Sequence, residues 1–243
     1  MLLVSLSTTA YLPVQRAYVS DQVSYERRGR ALAAVDASFS TAGMVGLPLI
    51  GWMIEIWGWQ LPILMLAGLS FLAALLAGLR LPKTESPTSS QPLQFNMWKY
   101  LRQPGILASV LVSILLLFIF ILFITFWALW LGDDYGLGPL EIGLMGTKVG
   151  IAELFGLFLA GLFIYRIGKR RGSLSGLIVT TVLFLFFLVF NQTLLSVQIM
   201  LVITALVFEF VLTAAIPLFA EQAPEARATV FSLVALGNTI GIG

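Results

Sequence analysis

The chain has 243 residues, of which 59% are hydrophobic and 11% are charged, and its formal net charge is +2. Soluble domains carry about 25% charged residues, so the composition predicts a protein embedded in a lipid bilayer. Cysteine and histidine are both absent, which excludes disulfides, thiol chemistry and the hydrolases and metalloenzymes that rely on Cys or His. We therefore expect no enzyme activity, no metal and no cofactor. The basic residues lie in short loops rather than on one face, which argues against nucleic-acid binding.

Apolar segments of membrane-spanning length recur along the chain. About 20 predominantly apolar residues span a bilayer as a helix, and eight segments reach or approach that length. They cover residues 1–20, 31–54, 61–81, 106–131, 140–164, 173–190 and 194–220, with the last beginning near residue 228. Since the first and last segments coincide with the chain ends, we expect the chain to be a piece of a larger protein.

The loops between these segments alternate in charge. All but two of the 14 Lys and Arg residues lie in four loops, at residues 21–30, 80–102, 166–171 and 221–227. The intervening loops contain no Lys or Arg, at residues 55–60, 132–138 and 191–193. Lys and Arg accumulate on the cytoplasmic side of membrane proteins. The four basic loops are therefore assigned to the cytoplasm.

One stretch interrupts the apolar pattern. Residues 83–92 are polar and rich in Pro and Ser, which is typical of a mobile linker. Residues 95–102 then mix aromatic side chains with cations. We predict a cytoplasmic linker over residues 83–104, whose second part forms a short helix lying on the inner leaflet.

The basic turn after the fifth segment carries a specific pattern, made by Gly161, Arg166, Gly168, Lys169 and Arg170. These residues resemble the signature loop of the major facilitator superfamily, which joins the second and third helices of a six-helix repeat. The resemblance implies that the loop takes part in gating on the cytoplasmic side. Tyr165 replaces the acidic residue of the family pattern, which weakens the expected gating role.

Two further cytoplasmic loops are similar to loops of the same family. Asp21, Arg28 and Arg30 resemble the loop between helices four and five. Glu221 and Arg227 repeat an acidic residue and an arginine of that loop at an offset of 200 residues. A weak repeat of this kind is expected between the two six-helix halves of such a transporter. The resemblance assigns gating roles to these residues as well.

The resemblance implies an all-α membrane protein with a major facilitator-type helical bundle. The chain would cover about helices four to eleven, that is, about eight of twelve membrane-spanning helices. Residues 1–82 would form the C-terminal half of the first six-helix domain, 83–104 the linker, and 105–243 a truncated second six-helix domain.

The second segment resembles the helix-five antiporter motif of the family through Gly43, Gly46, Pro48 and Gly51. Small residues let helices approach closely, and proline bends a helix. The resemblance implies a pliable helix interface that favours efflux over uptake. Plain helix packing is the alternative.

Charged residues within the apolar segments form the candidate site. A charge at the bilayer centre costs about 2.5–3.5 kcal/mol on insertion scales, so such residues are rare and usually functional. The residues are Asp36, Lys148, Glu153 and Glu209, with Arg16 one turn from the inner surface. Glu153 and Glu209 lie near mid-membrane by residue count. They are the candidate groups that bind and release a proton during transport, and a static pair with a lysine is the alternative.

The two basic residues of the site have less specific roles. Lys148 requires a partner on another helix, for which Glu209 and Asp36 are the candidates. Arg16 is a candidate anchor for a substrate anion, although extension of its side chain to the lipid headgroups explains its position equally well.

These features together predict a secondary active transporter that moves a small molecule by alternating access. The expected mode is proton-coupled efflux by a monomer in a bacterial inner membrane, with protons, a small-molecule substrate and the lipid bilayer as partners. A non-transporting scaffold or receptor on the same fold is one alternative, which the Tyr165 replacement favours. An uncoupled facilitator is the other.

Overall fold

The computed structural model describes residues 15, 18–19, 23, 28–80, 100–222 and 227–242. Within these ranges the chain forms seven α-helices and no strand. The helices are α1 (Arg28–Trp57), α2 (Gln60–Arg80), α3 (Pro104–Tyr135), α4 (Pro139–Ile167), α5 (Lys169–Phe187), α6 (Leu194–Ala220) and α7 (Arg227–Ile242). The predicted all-α fold is confirmed.

Proline and glycine set several of the helix boundaries. Pro104 and Pro139 begin α3 and α4 at the first helical position, where the missing N–H has no intrahelical partner to lose. Gly58, Gly136 and Gly168 have positive φ angles of 78°, 65° and 90° and follow the ends of α1, α3 and α4. A residue with a Cβ would be strained in these turns.

Five of the helices, α2 to α6, are long and apolar enough to cross a membrane. Their spans agree with the segments predicted from the sequence, and α6 coincides with the predicted segment 194–220. Helix α1 contains the predicted segment 31–54 but is not among the five. The predicted segment 1–20 and the predicted interfacial helix lie largely outside the described residues.

Helix α6 lies at the centre of the second part of the chain. It packs against α3 and α7 in one buried cluster, which includes Ile106, Phe208 and Val230. It packs against α3 and α4 in a second cluster, which includes Trp127 and Val149. The described helices after the linker therefore share a core that runs along α6.

The described part of the chain before the linker joins this bundle through an antiparallel contact between α1 and α4. A Cβ at Gly51 would overlap the carbonyl oxygen of Pro139. A Cβ at Gly143 would lie 2.6 Å from the carbonyl oxygen of Leu47. These distances are shorter than van der Waals contact, so the two backbones approach closely only because glycine occupies these positions.

Because of this close contact, we expect some glycines of α1 to tolerate substitution and others not. We expect Gly51→Ala to lower the thermal stability of the purified protein, since overpacking costs about 1–3 kcal/mol. Gly46→Ala is the matched control, because no atom lies within 4 Å of a Cβ built at Gly46. Thermal unfolding in detergent compares the two variants. Equal melting temperatures would contradict the packing role of Gly51.

Candidate functional site

Two carboxyl groups come together in the interior of the bundle. Glu153 on α4 is 9% exposed, and Glu209 on α6 is half-buried. The two side chains lie close enough to interact electrostatically. Thr213, one turn further along α6, donates a long hydrogen bond of 3.4 Å from Oγ1 to Oε1 of Glu209. The structure thus unites the two acidic residues singled out in the sequence.

A glycine brings the helices that carry these groups together. A Cβ at Gly156, one turn after Glu153, would overlap the carbonyl oxygen of Leu206. It would also lie 3.1 Å from the Cβ of Glu209. Any side chain at this position would therefore push α6 away from α4 and separate the two carboxyl groups.

Glu153 also lies beside the contact with α1. A Cβ at Gly150, one turn before Glu153, would lie 3.1 Å from the Cβ of Met44. Since α1 and α4 are antiparallel, this register brings Ser40, which is 5% exposed, to the level of Glu153. Glu153 therefore occupies the junction of α1, α4 and α6.

Lys148 lies five residues before Glu153, about one and a half turns towards the start of α4. Its side chain is exposed, and Nζ donates a hydrogen bond of 2.9 Å to Oε1 of Gln198 on α6. Gln198 was not predicted as a site residue, because the candidates within the spans were identified by their charge and an amide has none. The Oγ1 atom of the neighbouring Thr147 donates to the carbonyl oxygen of Met44 at 2.9 Å, which adds a polar contact to α1.

At the end of the bundle that the sequence assigns to the cytoplasm, the basic turn after α4 contacts the end of α6. Gly168 makes a sharp turn with a φ of 90° between α4 and α5. Lys169 follows it and forms an ion pair with Glu221, whose side chain lies just after α6. The structure thus links two of the predicted gating loops. Arg166 and Arg170 of the same turn are exposed.

The structure does not describe the side chains of several predicted site residues. Arg16 and Asp21 lie outside the described residues. The helices include Asp36, Arg28, Arg30 and Arg227, but their side chains lie outside the description. In the described part of the chain, no cluster of three or more acidic side chains is suited to hold a metal ion.

The glycines of the predicted helix-five motif differ from one another in their surroundings. Gly51 lies in the close contact with α4, whereas a Cβ at Gly43 or Gly46 would meet no atom within 4 Å. Pro48 lies between them within α1. The glycines on the other side of the contact were not singled out in the sequence, although the spacing of Gly146 and Gly150 is typical of close helix pairs.

A bundle of apolar helices with polar groups at its helix contacts defines an integral, multi-pass membrane protein. The chain belongs to the Major Facilitator Superfamily, whose family model matches residues 1–241. Members of this family move small molecules across a lipid bilayer. A comparison with curated proteins finds no match.

The ion pair of the cytoplasmic turn has a measurable strength. The side chains of Lys169 and Glu221 are 25% and 53% exposed, so we expect a coupling free energy of about 0.2–1 kcal/mol. A double-mutant cycle with Lys169→Ala and Glu221→Ala, read by unfolding in mixed micelles, measures this coupling. High salt should reduce it.

Arg170→Ala paired with Glu221→Ala is the matched control cycle, because Arg170 belongs to the same turn but forms no described ion pair with Glu221. Its coupling should be near zero. Equal coupling in both cycles would mean that Glu221 responds to the general positive charge of the turn and not to Lys169.

Proposed function

We propose that the chain is the core of a proton-coupled efflux transporter, in which Glu153 and Glu209 bind and release the coupling proton. The observation that carries this proposal is the meeting of two carboxyl groups beside Gly156, where α4 and α6 approach closely. By residue count both groups lie near the middle of their spans. Isolated acidic residues are rare within membrane spans, and a pair of them at one helix contact favours a functional role.

The proton changes the charge of this site by one unit. A charge in the bilayer interior costs about 2.5–3.5 kcal/mol on insertion scales. A change of that size can shift a two-state equilibrium, because about 1.4 kcal/mol alters an equilibrium constant tenfold. Gain or loss of one proton therefore supplies enough free energy to favour one packing of the helices over another.

The position of Glu153 supports coupling to a large movement. Its helix contacts α1, which lies before the linker, and its carboxyl group faces α6, which lies after it. In alternating access, the two sides of the linker rock against each other around a central site. A proton at Glu153 would bind beside the contact across which this rocking occurs.

Other residues bear on the direction of transport and on the substrate. The resemblance of Gly51 and Pro48 to the antiporter motif favours efflux. The candidates for holding a polar or anionic group of the substrate are Lys148 with Gln198, and Arg16 near the inner surface.

The basic turn would take part in gating. We propose that the ion pair between Lys169 and Glu221 breaks when the cytoplasmic side opens and forms again when it closes. We propose a monomer in a bacterial inner membrane.

Neutral substitutions of the two carboxyl groups test the coupling. We expect Glu153→Gln and Glu209→Gln each to abolish export of a fluorescent amphiphile driven by a proton gradient, because a Gln side chain cannot exchange a proton. Export from cells expressing equal amounts of each variant measures this effect. Glu55→Gln is the matched control. Glu55 is exposed near the C-terminal end of α1, so this variant should retain export.

Each result of this experiment has a distinct meaning. Export unaffected in both Gln variants would overturn the proton site and favour an uncoupled facilitator. Export that persists after the gradient is collapsed would lead to the same conclusion. A protein that is indifferent to both substitutions and exports no tested compound would favour the non-transporting scaffold.

A second test changes the distance between the carboxyl groups without removing either. Gly156→Ala forces a Cβ onto Leu206 and Glu209, so we expect a partial loss of proton-driven export at a normal expression level. Gly68→Ala on α2 is the control, because no atom lies within 4 Å of a Cβ built at Gly68 and no role in transport is assigned to it. Equal export by the two variants would contradict the importance of the close crossing.

A further inference from the structure

A groove opens at the cytoplasmic end of the bundle, between the turn that follows α4 and the end of α6. Its volume is about 520 Å³, within the range of about 300–1,000 Å³ that small-molecule sites occupy. Four cationic or acidic side chains and three apolar side chains line it, together with Gly168. They are Lys169, Arg170, Arg171 and Glu221, and Ile164, Ile167 and Leu218.

The lining combines two kinds of side chain. The apolar spans of α4 and α6 end at Ile164 and Phe219, so we expect Ile167 and Leu218 near the boundary between the hydrocarbon region and the headgroups. The cationic side chains follow Ile167 within one turn of the chain. Ile167 is 45% exposed. Apolar side chains followed by cationic ones match the order of acyl chain and headgroup in a phospholipid.

The charge of the groove favours an anion. Lys169 is engaged with Glu221, which neutralises the acidic group that the groove contains. Arg170 and Arg171 are exposed, and no ion pair with a carboxylate is found for either within the described ranges. A guanidinium binds a phosphate group through two parallel hydrogen bonds, which makes arginine well suited to phosphate recognition.

We infer that this groove binds the headgroup of an anionic phospholipid of the inner leaflet. Arg170 and Arg171 contact its phosphate, and Ile167 and Leu218 contact the first methylene groups of its acyl chains. The Lys169–Glu221 ion pair is the positioning element, because it holds the turn against α6 and leaves the two arginines directed at the ligand. A soluble phosphate would gain no binding free energy from the apolar side chains of the groove. The inference does not depend on the proton site.

Lipid retention by the purified full chain tests the inference. We expect native mass spectrometry to show more phosphatidylglycerol than phosphatidylcholine bound after delipidation and titration with each lipid. Arg170→Gln combined with Arg171→Gln should weaken phosphatidylglycerol binding by more than tenfold, since each basic residue near an anionic surface contributes about fivefold. Arg166→Gln is the matched control, because Arg166 belongs to the same turn but does not line the groove.

Two further variants distinguish charge from fold and lipid from phosphate. Arg170→Lys with Arg171→Lys keeps the charge, so it should retain most of the binding and would show that the Gln effect is not a loss of folding. Ile167→Ser should weaken lipid binding while leaving any binding of inorganic phosphate unchanged.

The inference is overturned by any of three results. Equal retention of the two lipids would remove the preference for an anionic headgroup. Undiminished phosphatidylglycerol binding by the double Gln variant would place the lipid elsewhere. Displacement of the lipid by millimolar inorganic phosphate, with no effect of Ile167→Ser, would identify a soluble phosphate site instead.

Discussion

The close approach of helix backbones at glycine is the constraint on which the rest of this structure depends. Lipid tails are as apolar as leucine, so helices in a membrane gain little from burying apolar side chains against one another. Packing and polar contacts must hold them together. Helix α4 meets α1 at Gly143 and Gly150 and meets α6 at Gly156. In the described part of the chain, α4 joins the two sides of the linker, because glycines occupy two of its faces.

The same constraint decides where polar groups can be kept. Close backbones exclude lipid from the space between them, and a polar side chain one turn away is then shielded from hydrocarbon. Glu153 lies one turn from both Gly150 and Gly156, and Glu209 lies against Gly156 itself. Glu153 and Glu209 therefore lie where the glycines leave room for them, and the site depends directly on the packing of the bundle.

Hydropathy predicted the helices well but not their faces. The segment 194–220 agrees with α6 because charge and polarity mark both its ends. Rotation about the helix axis is different, since α3 and α6 are apolar on every side and no periodicity identifies the buried face. In α1, likewise, the sequence does not show which of Gly43, Gly46 and Gly51 meets a neighbouring helix. Gln198 is inconspicuous for a different reason, since it carries no charge. The two Glu residues were foreseen because charge within a span is conspicuous regardless of rotation.

Helix α4 is held on both sides. Lys148 with Gln198, Gly156 with Leu206, and Lys169 with Glu221 join α4 and the following turn to α6 at three levels. The contact of α4 with α1 is just as close, because a Cβ at Gly51, Gly143, Gly146 or Gly150 would lie within 3.1 Å of the other helix. A hydrogen bond from Thr147 to the carbonyl oxygen of Met44 adds a polar link to it. If the two sides of the linker rock against each other as proposed, this contact must rearrange, and a proton at Glu153 would act by changing how α4 packs against α1.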